Sequence, residues 1–284
     1  MEDPSQSPDR RQPAAPTTVV QLPRTLERQW PSSDLAARVT LDALAPDLAA
    51  LPLPFIRMQL VLCARQMLAG LQALALPSTI SHRHLRSTLT VPMPREQGGL
   101  QPLYPTHVLA VSPPSTNAPS PDAPVALIPM HGVVLAANCT APLLLLAPTV
   151  TDPASAPGTL VLPVCPVTLP SLHAFLIVRA FMYTHRVDAL LNALLPLPVR
   201  LTHAAVHAAL ASAEDRVRIA AHLTGAHPGI RHLLLYAGRV RELWHTVCWL
   251  GMDHGRLWDA INLAWELVIL ALNLAAGTHE REQG

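Results

Sequence analysis

Proline divides this chain of 284 residues into two unequal parts. Twenty-seven of the thirty prolines lie at or before Pro170, and only Pro196, Pro198 and Pro228 follow. Because proline lacks a backbone N–H and ends helices, the long helices are expected after residue 170. Half of the residues are apolar but only 4% are aromatic, so the core must consist mainly of Leu, Ala and Val. The sequence therefore predicts a mainly α (α+β) fold, with a proline-rich N-terminal part containing a few short strands and a C-terminal helical bundle.

The N-terminal part is predicted to contain three segments. Residues 1–32 are polar and rich in proline, which is typical of a disordered tail. Residues 33–94 form a helical segment in which Ser33 caps a helix that ends near Ala43. A second helix begins at Pro54 and ends near Leu76, because one apolar stripe continues over that length. Residues 95–124 are predicted to be a proline-rich linker or loop, interrupted by a short strand at 107–111.

Residues 125–277 are predicted to form a helical interaction domain with short strands, followed by a disordered tail at 278–284. The strands are expected at 125–128, 143–146 and 160–164, with a helix at 131–138. The longer helices are expected at 170–195, 200–223, 230–250 and 256–276. Four tryptophans on the last two helices, which are the largest side chains of this region, are predicted to anchor its core: Trp244, Trp249, Trp258 and Trp265.

The helix that begins near Pro170 contains a short polar corner before it resumes. This corner consists of Tyr183, Thr184, His185 and Arg186. Because it ends a buried helix, its polar side chains are expected to point outward at a fixed position, where they form a candidate interaction site. The alternative is that Thr184 and His185 only cap the helix and satisfy its last carbonyl groups.

Motifs of catalysis and cofactor binding are absent from the sequence. There is no GxSxG, no GxGxxG and no phosphate-binding loop. His203 and His207 have the spacing of two metal ligands on one helix, but no third ligand accompanies them. We therefore predict no catalytic, cofactor-binding or metal-binding residues and no cofactor. A metal-dependent enzyme stays the less favoured class.

Charge and hydropathy restrict the partners of this chain. The formal net charge is +1, so no direct binding of nucleic acid is expected. The apolar stretch 259–276 contains Glu266 near its middle, and a carboxylate at that depth of a membrane is costly. We therefore expect an interior helix and no membrane anchor. The N-terminus has no apolar run after a basic start, which predicts an intracellular protein. The nucleus and the cytoplasm are both left open.

Three blocks of this sequence resemble the clampless protein family of basidiomycete fungi. They are IPMHGVVLAANC, LPVCPVTLPSLHAFLIVRAFMYTHRVDALL and VRELWHTVCWLGMDHGRLWDAINLAWELVILALNLAA. The resemblance implies a non-enzymatic regulator of sexual development, required for clamp-cell formation in the dikaryon downstream of the homeodomain mating-type factors. It also implies protein partners, and homeodomain transcription factors are among the candidates.

A second resemblance is to the BTB/POZ fold. The block HGVVLAAN is similar to one in which a histidine precedes an apolar helix, and AFMYTHRVDAL is similar to a later helix that ends in a Tyr-Thr pair. This likeness implies a BTB-like core within the mainly α fold. The alternative function is then a self-associating BTB-like scaffold or adaptor.

Overall fold

A computed structural model describes residues 22–27, 34–93, 101–114, 120–140, 158–226 and 229–283. Within these residues the helices are α1 (Asp34–Leu44), α2 (Leu53–Leu62), α3 (Ala64–Ala73), α4 (Gly132–Asn138), α5 (Leu172–Thr184), α6 (Val187–Leu194), α7 (His203–Ala211), α8 (Ala213–Ala226), α9 (Ile230–Leu250) and α10 (Gly255–Gln283). The strands are β1 (Thr79–Ser81), β2 (Thr88–Pro92), β3 (His107–Ser112), β4 (Pro124–Met130) and β5 (Thr159–Thr168). The fold is mainly α with one sheet, which confirms the predicted class.

The five strands form one sheet in the order β1-β4-β3-β5-β2. The central pair, β3 and β5, runs parallel, with Leu109 opposite Cys165. The other neighbours are antiparallel, and β4 pairs with β3 so that Leu109 lies opposite Ile128. Because parallel neighbours need a crossover, the chain passes from β4 into α4 before it returns to the sheet as β5.

Both faces of the central strand β3 are buried, and alternate residues enter different clusters. Leu109 and Val111 face the main core together with the helices. Val108 and Ala110 face a smaller cluster on the opposite side of the sheet. This alternation follows from the two-residue period of a strand. Residues 107–112, which lie in the predicted linker 95–124, therefore form the middle strand of the sheet. The predicted boundaries at 94 and 124 both fall inside the part of the chain that forms this sheet, Thr79 to Thr168.

The helices pack into one core with the sheet. Helix α10 lies against α8 and α9, and α9 lies against α5. The main cluster of buried apolar residues extends from Leu26 to Ala275. Two polar contacts join α8 to α10: Arg216 forms an ion pair with Glu266 at 2.8 Å, and the Thr224 hydroxyl donates to the carbonyl of Ala271 at 3.2 Å.

Helix α10 contains the stretch Gly255–Gly277, which is long and apolar enough to cross a membrane. It is the one such stretch that was found in the described residues, and half of its most apolar window is buried inside the protein. Length and composition alone give weak evidence for a span, because the core helix of a globular protein meets the same criterion.

The predicted disordered tail at 1–32 is wrong for residues 22–27. Leu26 is 7% exposed and belongs to the main core. The indole N–H of Trp265 donates to the carbonyl of Pro23, and that of Trp244 donates to the carbonyl of Glu27, both at 2.9 Å. A buried indole needs an acceptor, and this segment supplies two. The remaining residues of that prediction, 1–21 and 28–32, lie outside the described residues.

Several predicted helix bounds differ from the observed ones. The helix expected at 54–76 is interrupted at Cys63, whose N–H is shared between the carbonyls of Gln59 and Val61. The helix expected at 200–223 is divided at Ser212, whose hydroxyl accepts the N–H of Asp215 and so begins α8. Helix α10 continues to Gln283, so the predicted disordered tail at 278–284 is wrong for 278–283. The strand expected at 143–146 lies outside the described residues.

Candidate interaction site

The polar corner between α5 and α6 contains a strained residue. His185 has φ 49° and ψ 26°, and it is the one residue other than glycine with positive φ in the described part of the chain. Its N–H donates to the carbonyl of Phe181 at 2.7 Å and so closes α5. Glycine is the usual residue in this left-handed position, because a Cβ atom is disfavoured there. Residues with a strained backbone cluster at functional sites.

The prediction that Tyr183 points outward is wrong, because its side chain is only 1% exposed. Its hydroxyl accepts the backbone N–H of His131 at 3.1 Å and lies 2.9 Å from Nδ1 of the same residue. The buried side of α5 continues for one more residue than the sequence pattern indicates. Tyr183 therefore fixes the end of α5 to the junction between β4 and α4.

The hydrogen bonds around His131 define its tautomer. Its Nε2 lies 3.1 Å from the carbonyl oxygen of Leu103, which can only accept, so Nε2 carries the proton. Nδ1 then accepts from the Tyr183 hydroxyl. Burial lowers the pKa of His131 and raises the pKa of Tyr183 to about 12, so both side chains stay neutral near pH 7. We call Tyr183, His131 and Leu103 the Tyr183–His131 lock.

The backbone of Leu103 is held against α3. Its N–H donates to the carbonyl of Gln66 at 3.1 Å. A Cβ atom at Gly70 would lie 1.7 Å from the carbonyl oxygen of Leu103, so this close approach requires glycine. The lock consequently connects α3, the start of α4 and the end of α5.

The ring of His185 packs in a cluster with the rings of Phe181 and His254. Its ring stacks on Phe181 with 5.5 Å between centroids, and the centroid of His254 is 4.5 Å away. His254 belongs to the turn between α9 and α10. The fold therefore brings together two histidines that are separated by 69 positions in the sequence.

A cleft of about 510 Å³ opens beside this cluster. It is lined by Thr184 and His185 of the corner, by residues 253–256, and by five residues of α2: Pro54, Arg57, Met58, Val61 and Leu62. We call it the histidine cleft. Arg57 contributes to its wall and is oriented by the hydrogen bond from its Nε to the carbonyl of Ala137 at 2.7 Å.

The histidine cleft favours neutral imidazoles. Burial, followed by the nearby His254, Arg57 and Arg256, lowers the pKa of His185 to about 4. Burial and the same two arginines lower the pKa of His254. Nε2 of His185 and Nδ1 of His254 are buried and have no hydrogen-bond partner among the described residues. Buried polar atoms without a partner are rare and call for an explanation.

Arg186 faces a different cavity. Its side chain is exposed and forms a bidentate ion pair with Asp188 at the start of α6, with 3.2 Å between Nε and Oδ1. It lines a second cleft of about 660 Å³ together with Asn192, Arg200 and His203. Hydrogen bonding to Arg186 lowers the pKa of Asp188. The predicted site is therefore divided between two clefts.

Thr184 behaves as the capping alternative expects. Its hydroxyl donates to the carbonyl of Ala180 at 2.8 Å and accepts the N–H of Arg186 at 3.4 Å. The residues that sequence reasoning missed are Arg57, His254 and Arg256. No local pattern marks them, because they come from α2, from the turn before α10 and from the first turn of α10.

Three of the four tryptophans lie in the core, and Trp249 packs at its edge. We call Trp244, Trp258 and Trp265 the tryptophan core. The indole N–H of Trp258 donates to the carbonyl of Met252 at 3.1 Å, which fixes the turn that carries His254. Trp258 and Trp265 share their buried side of α10 with Ile261 and Val268.

The two histidines with metal-ligand spacing, His203 and His207, are both exposed on α7. In the described part of the chain, no group of three or more His, Cys, Asp or Glu side chains is arranged to hold a metal ion. None of the four cysteines, all of which lie in the described residues, forms a disulfide, and three of them are buried. Burial raises the pKa of Cys139 far above its usual range.

Two family models match this chain. Residues 8–170 match the N-terminal domain of Clampless protein 1, and residues 188–284 match its C-terminal domain. No curated protein and no solved structure matches it. The interval between the two matches, residues 171–187, contains all of α5 and the corner from Tyr183 to Arg186, so the corner lies where the two domains join. Because the two models cover most of the sequence, this chain belongs to the clampless protein family.

Proposed function

We propose that this protein is a non-enzymatic regulator of fungal sexual development that acts by binding other proteins. Membership of the clampless family supports a role in clamp-cell formation, in the dikaryon and downstream of the homeodomain mating-type factors. Homeodomain transcription factors are among the proposed partners. The site of action is inside the cell, in the nucleus or the cytoplasm.

The observation that carries the proposal is the histidine cleft at the junction of the two family domains. Three hydrogen bonds to backbone carbonyls hold its polar side chains in place. The N–H of His185 donates to Phe181, the indole of Trp258 fixes the turn that carries His254 by donating to Met252, and Nε of Arg57 donates to Ala137. A rigid scaffold that presents polar and cationic groups beside a cavity is suited to recognition.

The test is complementation of a strain that lacks the gene. His185→Ala combined with Arg186→Ala alters both clefts, and each single variant assigns the effect to one cleft. We expect the double variant to reach normal abundance but to fail in clamp-cell formation. Arg218→Ala, on the exposed side of α8, is the matched control and should form normal clamp cells. Normal clamp cells in the double variant would contradict the assignment of this site.

A self-associating BTB-like scaffold is the second candidate. One observation favours it: the two blocks that carry the likeness, HGVVLAAN and AFMYTHRVDAL, are joined directly by the contact between His131 and Tyr183. The molar mass of the purified chain, measured by light scattering across a concentration series, distinguishes the two. A stable dimer favours the scaffold, whereas a monomer at all concentrations contradicts it.

A further inference from the structure

One wall of the histidine cleft is apolar and exposed. Met58 and Leu62 lie one turn apart on α2, and 51% and 70% of their surfaces are exposed. Both line the cleft, next to the partly buried Val61. Apolar side chains that are exposed together beside a cavity are typical of contact surfaces. This part of the cleft is therefore suited to an apolar group of a ligand.

Other lining residues of the cleft are polar and cationic. They include His185 and His254, and each of these rings also has one buried nitrogen that has no partner among the described residues. Arg256 lines the cleft, is exposed and makes no ion pair with the described residues. An imidazole N–H and a guanidinium both donate hydrogen bonds to an oxyanion, and such charge-assisted bonds are stronger than neutral ones.

The charge of the lining residues selects between oxyanions. With both imidazoles neutral, Arg57 and Arg256 contribute two positive charges and Asp253 contributes one negative charge, which leaves a net charge of about +1 by addition of the side-chain charges. A single carboxylate neutralises this charge, whereas a phosphate monoester carries about −1.5 to −2 at pH 7. Charge complementarity therefore favours a carboxylate.

We propose that the histidine cleft binds a protein segment in which an Asp or Glu side chain neighbours an apolar side chain. The carboxylate accepts from the His185, His254 and Arg256 side, and the apolar group packs on Met58 and Leu62. Alternation of acidic and apolar residues is characteristic of transcriptional activation segments. This inference rests on the proposed function and gives the partner's recognition chemistry.

The test is a peptide-binding measurement with the purified full chain. The probe is a fluorescent peptide of about 12 residues that alternates Asp with Leu and Phe, as activation segments do. We expect a Kd in the range of about 1–100 μM, since small and polar contact areas give weak complexes. Peptides with Asn in place of Asp, or with Ser in place of the apolar residues, should lose measurable binding.

Variants locate the peptide on the chain. Arg256→Gln and Leu62→Ser should each weaken binding about tenfold, which corresponds to about 1.4 kcal/mol. His185→Gly removes the ring but suits the left-handed backbone, so it tests the imidazole without disturbing the fold. Arg218→Gln and Leu235→Ser are the matched controls on α8 and α9, where the side chains are also exposed, and should leave the Kd unchanged.

The pH dependence of the Kd gives an independent readout. A bound carboxylate favours the protonated imidazoles, so binding should tighten as the pH falls from 7.5 to 6. The charged groups that line the cleft with these rings are Arg57 of α2, Arg256 of α10 and Asp253 of the turn before α10. The decrease in Kd between pH 7.5 and 6 should disappear in the double variant His185→Gly with His254→Asn.

Four outcomes would overturn the carboxylate assignment. They are the absence of binding at about 1 mM peptide, where even a weak complex of about −4 kcal/mol forms, equal binding of the Asn peptide, tighter binding of a phosphoserine peptide, and unchanged binding by the cleft variants. None of these results bears on clamp-cell formation, which the complementation test measures separately. Conversely, normal clamp cells in a strain without the gene would reject the proposed function, whatever the peptide does.

Discussion

Two regions hold the corner beside the histidine cleft, and they do so by different interactions. The tryptophan core fixes α9, α10 and the turn that carries His254 by the burial of large apolar rings. The Tyr183–His131 lock fixes the end of α5 by hydrogen bonds at 2.9 to 3.1 Å between residues of three segments. Apolar burial is non-directional and roughly proportional to area, whereas hydrogen bonds are directional and contribute about 1 kcal/mol each.

This difference indicates what each region contributes. The tryptophan core contributes more stability than the lock, because a buried aromatic ring removes about 150–250 Å² from water. The lock contributes position, because the tautomer of His131 and the orientation of Tyr183 are both determined by single partners. Removal of one partner of a buried hydrogen bond leaves the other unsatisfied, which costs more than the bond contributes. Variants in the tryptophan core should therefore lower the free energy of unfolding more, whereas variants in the lock should mainly disturb the position of the corner.

The largest effect is expected for Trp265→Ala. The side chain is 2% exposed and its N–H donates to Pro23, so the variant leaves a cavity and loses an anchor of the N-terminal segment. The free energy of unfolding should fall by roughly 3–5 kcal/mol. Chemical denaturation measures this change. Trp249→Ala, at the edge of the core, is the matched control and should cost clearly less. A loss below about 1 kcal/mol, the range of surface substitutions, would show that Trp265 is not an anchor of the core.

Sequence periodicity predicted the helical region well, because helices α9 and α10 are long and each has one apolar stripe. It missed β1 and β2, whose partners β4 and β5 are more than 40 residues away in the chain. The corner was predicted because it interrupts a local pattern. Its environment was not predicted, because Arg57 and His254 reach it only through tertiary packing. Contacts between residues so far apart in the chain cannot be inferred from local spacing in the sequence.

The second largest effect is expected for Gly70→Ala in α3. Alanine normally stabilises the interior of a helix by about 1 kcal/mol relative to glycine. Here the new Cβ would meet the backbone of Leu103, which cannot rotate away, so we expect a loss of roughly 3 kcal/mol from overpacking. Gly238→Ala in α9 is the matched control, since a Cβ there meets nothing within 4 Å. Denaturation should show opposite signs for the two variants. Equal stabilisation would indicate that Leu103 is not held against α3.

A smaller effect is expected for Tyr183→Phe, which keeps the ring and removes the hydroxyl. The backbone N–H and Nδ1 of His131 then lose their partner, and the loss should be roughly 2 kcal/mol. The same variant should loosen the corner, so hydrogen exchange at the amide of His185 should increase more than exchange in α10. A uniform increase across the chain would show that Tyr183 acts as an apolar anchor like the tryptophans.

The last effect is the pH dependence of stability, which is small near pH 7 and to which three histidines contribute. The pKa values of His131, His185 and His254 are lowered in the folded chain, and that of His185 falls to about 4. A lowered histidine pKa means that the unfolded chain binds more protons below its ordinary value of about 6.5, so stability is present above that pH. It should decline as the pH falls from about 6.5 towards 4.

Denaturation at pH 7.5, 6 and 5 measures this decline, and His185→Gly isolates one contribution. The variant should be close to the native chain in stability at pH 7.5, because the loss of ring packing on Phe181 is offset by relief of the left-handed backbone. Its stability should fall less steeply than that of the native chain between pH 6.5 and 5, because one proton-linked group is gone. His203→Gln, on the exposed face of α7, is the control and should retain the native slope. A native slope in His185→Gly would show that His185 titrates alike in the folded and unfolded chains, and that its ring is not held in the desolvated cleft.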